Sequence, residues 1–150
     1  MNTAFAEKIS TSILKDEFDL SIDSIRDLNQ ALHTAELTES IVDWTVTNPG
    51  GQHNIAVGIK APVNVTIEGH AGYYCAGMNQ EANVIVNGNV GVGVAENMMS
   101  GSVHIKGNAS QAAGATAHGG LLVIDGDAGA RCGISMKGVD IVVGGSIGHM

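Results

Sequence analysis

The chain has 150 residues, the size of a single domain with room for a sizeable core, yet only 3% are aromatic and 15% charged beside 21 glycines. That balance excludes a core built around aromatic side chains and points to repeated packing of small and aliphatic residues. A net charge of −8 argues against nucleic acid or an anionic membrane as partner, and no apolar run reaches signal-peptide or membrane-spanning length, so a cytoplasmic protein is expected.

Residues 1–43 hold nine acids and three bases, and so carry −6 of the −8. Ser24 followed by Asp27 has the pattern of a helix start, and Ile22, Ile25, Leu28 and Leu32 form an approximate helical stripe. The spacing predicts a helix near 22–34 within a short acidic N-terminal segment. Asn48-Pro49-Gly50-Gly51 reads as a turn between strands at roughly 41–47 and 54–59.

From residue 44 the chain becomes periodic. The segments VTIEG, VIVNG, VHIKG, LVIDG and IVVGG end on Gly69, Gly88, Gly107, Gly126 and Gly145, each step being 19 residues. Two positions earlier stand Ile67, Val86, Ile105, Ile124 and Val143, and four earlier Val65, Val84, Val103, Leu122 and Ile141. Alternation puts both aliphatic columns on one face of a short strand, facing inward. The residues between them, Thr66, Ile85, His104, Val123 and Val142, then face outward. Small residues three after each glycine (Gly72, Gly91, Ser110, Gly129, Gly148) suit tight corners, and the polar residues one after (His70, Asn89, Asn108, Asp127, Ser146) suit turns.

A coil that cannot bury its own apolar face must stack on its neighbours. The fold class is therefore all-β: a single-domain parallel β-helix of about five 19-residue coils over 44–150, with the right-handed form favoured. The N-terminal helix is placed to cap one open end, where strand edges are otherwise unpaired. At the other end the last repeat glycine lies five residues before Met150, and the expectation is a chain truncated at its C-terminus.

The candidate chemistry is sparse. Cys75 and Cys132 share one column three coils apart, too far for a disulfide. His70, His104, His118 and His149 occupy four different positions of the coil, which argues against a metal site. The run Gly88-Asn89-Val90-Gly91-Val92-Gly93 lacks the strand–turn–helix setting of a dinucleotide fingerprint. Glu96 and Asn97 break the pattern of the other coils, and Met78, Met98, Met99 and Met136 cluster in successive coils as core filling or as an adaptable contact surface. Ile85, Val123 and Val142 are apolar yet outward, as expected of a face covered by the N-terminal segment or another subunit. The expected partner interface is thus Ile85, Val123, Val142, Glu96, Asn97, Met98 and Met99, with no catalytic, cofactor-binding or metal-ligating residue.

Several longer stretches carry a resemblance: Leu28-Asn29-Gln30-Ala31-Leu32-His33, Gly72-Tyr73-Tyr74-Cys75-Ala76-Gly77-Met78-Asn79, Gly93-Val94-Ala95-Glu96-Asn97-Met98-Met99-Ser100-Gly101, and Arg131 through Gly138 to Gly148-His149-Met150. Over residues 22–150 the chain resembles the glycine-repeat (GXGXG) β-helix domain of the glutamate synthase large subunit. It is most similar to the stand-alone versions, the middle subunit of N-methylglutamate synthase and GlxC. The resemblance implies a non-catalytic structural or assembly subunit of a flavin-dependent amidotransferase complex. Its partners would be a glutaminase-type amidotransferase subunit and an FMN-binding synthase subunit, with the FMN held by the latter. A more distant resemblance is to the β-helical subunit of formylmethanofuran dehydrogenase. The rival of another class is a stand-alone β-helix acyltransferase, which would require a placed catalytic histidine and an 18-residue period.

Overall fold

The computed structural model describes residues 15–35 and 42–149. The chain winds as a parallel β-solenoid of about five turns, with one short helix. Its strands are β1 (Glu17–Asp19), β2 (Asp43–Thr47), β3 (Asn64–Glu68), β4 (Asn83–Val86), β5 (Ser102–Ile105), β6 (Leu121–Ile124) and β7 (Asp140–Val143). They form one seven-stranded sheet in chain order, every neighbouring pair parallel. From β3 onward the register partners are 19 residues apart, such as Val65 with Val84 and Val84 with Val103. A second line of bridges runs through Ala71, Val90, Ala109, Ala128 and Ile147.

From β3 to β6 the inward columns are sealed: Val65, Ile67, Val84, Val86, Val103, Ile105, Leu122 and Ile124 have no exposed surface, while Ile141 and Val143 of β7 are half-buried. Burying each such side chain stabilises by roughly 1.5–3 kcal/mol, and stacking identical types lets every turn repeat the packing below it.

An additional turn precedes the five glycine-marked segments. Asp43 pairs with Asn64, a step of 21 rather than 19, and Asn48 at φ +49° takes the place of the repeat glycine. The strand expected at 54–59 is not one. Asn54, Ala56 and Gly58 hold positive φ in alternation, as do Tyr74, Ala76 and Met78, then Gly93, Ala95 and Asn97, then Ala112, Gly114 and Thr116, then Arg131, Gly133 and Ser135. Alternate left-handed residues turn successive N–H groups to opposite sides. Tyr74 N–H donates forward to Val92 O, Ala76 N–H back to Ile55 O and Met78 N–H forward to Glu96 O, all at 2.8–2.9 Å. These bonds to both neighbouring turns offset a conformation that costs an L-residue roughly 1–2 kcal/mol.

The described residues of the N-terminal segment, 15–35, close the first turn. Helix α1 (Ile25–Thr34) starts at Ser24, whose hydroxyl accepts the N–H of Asp27, and it buries Leu28 and Leu32 completely. Its polar residues satisfy backbone groups that an adjacent turn satisfies elsewhere. Asn29 donates to Asn54 O (2.8 Å) and accepts from Val57 N–H (3.3 Å), while His33 Nε2 lies 2.9 Å from Val57 O. β1 extends the sheet by one strand, and Phe18 stacks on buried Trp44 with centroids 6.1 Å apart.

Candidate functional site

The repeat glycines are demanded by contact more than by dihedral angle. Gly88, Gly107, Gly126 and Gly145 do not hold positive φ, but a Cβ at Gly88 would sit 2.5 Å from Gly69 O. At Gly107, Gly126 and Gly145 it would overlap the side-chain oxygen of Asn89, Asn108 and Asp127 respectively. Those three residues belong to a ladder. Asn89 N–H donates to His70 Nδ1, Asn108 N–H to Asn89 Oδ1, Asp127 N–H to Asn108 Oδ1 and Ser146 N–H to Asp127 Oδ1, at 2.8–2.9 Å. The polar column expected to favour turns is thus a set of rungs between turns, and the glycine beside it makes space for each rung. The small residues Gly72, Gly91, Gly129 and Gly148, expected at corners, likewise do not hold positive φ. A Cβ there would press on the backbone of the turn below.

Two further ladders mark other faces. Asn64 donates to Asp43 (2.9 Å), Asn83 to Asn64 (3.1 Å) and Ser102 to Asn83 (2.7 Å) along one border of the sheet. On the alternating-φ side, Asn97 Nδ2 donates to the Tyr74 hydroxyl (3.1 Å) and Asn97 Oδ1 accepts from Thr116 Oγ1. This explains why Asn97 departs from the other coils: it tolerates φ +60° and links three turns through its amide. Glu96 is half-buried and folds over Gly93, whose Cβ would meet Glu96 Oε2 at 2.7 Å.

The outward strand column presents Thr45, Thr66, Ile85, His104, Val123 and Val142 in register. Ile85 is 37% exposed and Val142 54%, while Val123 is half-buried. The described N-terminal residues sit at the first turn, leaving Ile85 and Val142 open to solvent. His104 Nε2 lies 2.8 Å from Asp125 Oδ1 on the same face. Met99, Met78 and Met136 are 45–50% exposed, but Met98 is fully buried. Met98 therefore belongs to the core and is removed from the expected contact surface: its column points inward, so its side chain fills space between turns.

The cysteines are both free. Cys75 lies in the core, and desolvation pushes its thiol up to about 12. Cys132, half-buried in the same column, is raised for the same reason. Among the described residues no three His, Cys, Asp or Glu side chains converge on a common point, and no helix is long and apolar enough to cross a membrane. Two clefts flank α1. One of about 440 Å³ is lined by Lys15, Phe18, Asp23, Asp27, Gln30 and Thr34, and one of about 360 Å³ by His33, Gly58, Lys60, Met78 and Gln80. Both involve cap residues that sequence reasoning did not single out as a site, because their approach depends on how α1 docks.

The chain is similar to Protein GlxC of Rhizobium meliloti (strain 1021), with 57% identity over 59 residues. That stretch is 39% of this chain and about a quarter (26%) of the length of GlxC. The chain matches no protein-family model and no solved structure.

Proposed function

We propose that the chain is a non-catalytic structural and assembly subunit of a glutamate synthase-like, flavin-dependent amidotransferase complex of the N-methylglutamate synthase type. The observation that carries this reading is the similarity to GlxC, in a chain whose longer motifs resemble that same group. The geometry supports it in kind. Polar side chains such as Asn64, Asn83, Asn97 and Asn108 are spent on ladders between turns, and its apolar outward residues stand on a fixed face. In this reading a glutaminase-type subunit and an FMN-binding synthase subunit carry the chemistry, and this chain holds their spacing. It binds no cofactor itself, and Ile85, Val123, Val142, Met99 and the Glu96–Asn97 bend meet a partner.

The test is purification of the tagged chain from its native host under mild conditions. The expected result is a flavin-containing complex with a glutaminase-like chain in fixed stoichiometry, losing those partners when Val142 is changed to Asp. A lone oligomer with acyltransferase activity would overturn the reading. Co-purification of a dehydrogenase of another redox complex, with no glutaminase-like chain, would replace it with the formylmethanofuran dehydrogenase-like alternative.

A further inference from the structure

We infer that Asn87–Gly88 is a modification site, at which the folded chain deamidates spontaneously to aspartate and isoaspartate. It is the one Asn-Gly pair in the sequence, and it stands where the chain leaves β4, with Asn87 exposed. Deamidation begins when the backbone nitrogen of the following residue reaches the asparagine Cγ, and glycine offers that nitrogen the least steric hindrance.

The structure singles out this nitrogen. In the same column the N–H groups of Gly107, Gly126 and Gly145 donate to the carbonyl of the glycine one turn below, at 3.1, 3.0 and 2.9 Å. Gly88 N–H donates to no acceptor among the described residues. The break coincides with Gly69 beneath it, which alone of these glycines holds positive φ (+138°). The Asn87 amide is kept at the surface, its Nδ2 donating to both oxygens of Glu68 at 3.0 and 3.1 Å. Asp125–Gly126, the other pair prone to imide formation, provides an internal comparison. Its side chain is engaged too, by His104 at 2.8 Å, but its glycine N–H is bonded, to Gly107 O at 3.0 Å.

The reaction balances without a redox partner. Gly88 N gives up its proton and bonds to Asn87 Cγ, the Cγ–Nδ2 bond breaks, and the amide nitrogen leaves as ammonia. Water then adds to either carbonyl of the cyclic imide and opens it to aspartate or isoaspartate. Either product places a new carboxylate against that of Glu68, where an attractive contact stood. Isoaspartate also adds a main-chain carbon between two interturn bonds, Asn87 N–H to Ile67 O (2.8 Å) and Gly107 N–H to Gly88 O (3.1 Å).

The test is ageing of the full chain at physiological temperature and mildly alkaline pH, followed by intact mass and peptide mapping. The expected result is a gain of one mass unit located at residue 87, with isoaspartate among the products and conversion slower at acidic pH. The aged protein should melt below fresh protein, and the Asn87→Lys variant should show neither change; lysine already occupies this column as Lys106. The inference is overturned if residue 87 stays intact while other asparagines convert. It is equally overturned if only urea-unfolded chain converts, which would show that the fold protects the site.

Discussion

Among single residues, the rung-and-glycine pairs set the tolerance of the stack. Changing Gly126 to Ala drives a Cβ into Asn108 Oδ1 and to 2.8 Å from Gly107 O, so the expected loss is about 1–3 kcal/mol in a denaturant melt. Asn108→Ala alone removes one exposed acceptor and should cost about 1 kcal/mol. The double variant should cost less than the sum, because the first collision no longer exists, and additivity would contradict the rung geometry. At Arg131, which is exposed at φ +62°, glycine should raise stability by about 1 kcal/mol by removing the left-handed strain of an L-residue. Thiol labelling gives a third check. Cys132 should react with a maleimide in the native protein, while Cys75 should react only on unfolding, since it is buried and its thiol lies near 12.

Helix α1 and β1 act as one cap, and their attachment is part apolar and part ionic. Leu28→Ala should cost about 2–5 kcal/mol, as expected for a fully buried leucine, with α1 exchanging its amides before the sheet does. The acidic residues give the cap a pH dependence. Asp19 lies below its ordinary 3.8 because Ser21 and then Asn48 donate to it, and Asp23 because Lys15 and then the Asp19 N–H do. Both carboxylates therefore stabilise fully above that value, and the contribution is lost as pH falls through their lowered folded values. Acid titration followed by hydrogen exchange should show the β1–α1 region loosening ahead of β4 and β5. Simultaneous loss across the stack would count against a separable cap. Much at this scale was readable in advance, since Ser24, Asp27, Leu28 and Leu32 marked the helix. The alternating-φ segments were not readable. Ala76, Ala95 and Ala112 have no intrinsic preference for positive φ, so only the hydrogen bonds of adjacent turns impose it.

The molecule as a whole follows from two aliphatic columns repeated every 19 residues, and that period was legible because β3 to β7 keep it without a slip. The turn before them was hidden, since its step of 21 and Asn48 in the glycine column break the pattern. The candidate interface was legible only as far as alternation reaches. Outward Ile85 and Val142 were placed by strand parity, whereas Met98 lies outside the regular strands and its direction is set by the local turn. In a stack where each turn contacts only its neighbours, stability is close to a sum of nearest-neighbour terms. Amide exchange should then be slowest in β4 and β5 and faster toward either end of the described stack. Uniform protection would instead indicate a single all-or-none unit.

The constant register gives the protein a discrete length. Excising residues 88–106, one period, would join Asn87 to Gly107 with every rung, glycine and inward column still aligned. The shortened rod should fold, with whatever attaches above and below the cut brought closer by one strand spacing of about 4.8 Å. Removing one residue more or fewer would turn inward side chains outward in every turn that follows. A stack of this kind can be lengthened or shortened only in whole turns, so the distance between points above and below the change would move by fixed increments while the faces it displays stay the same.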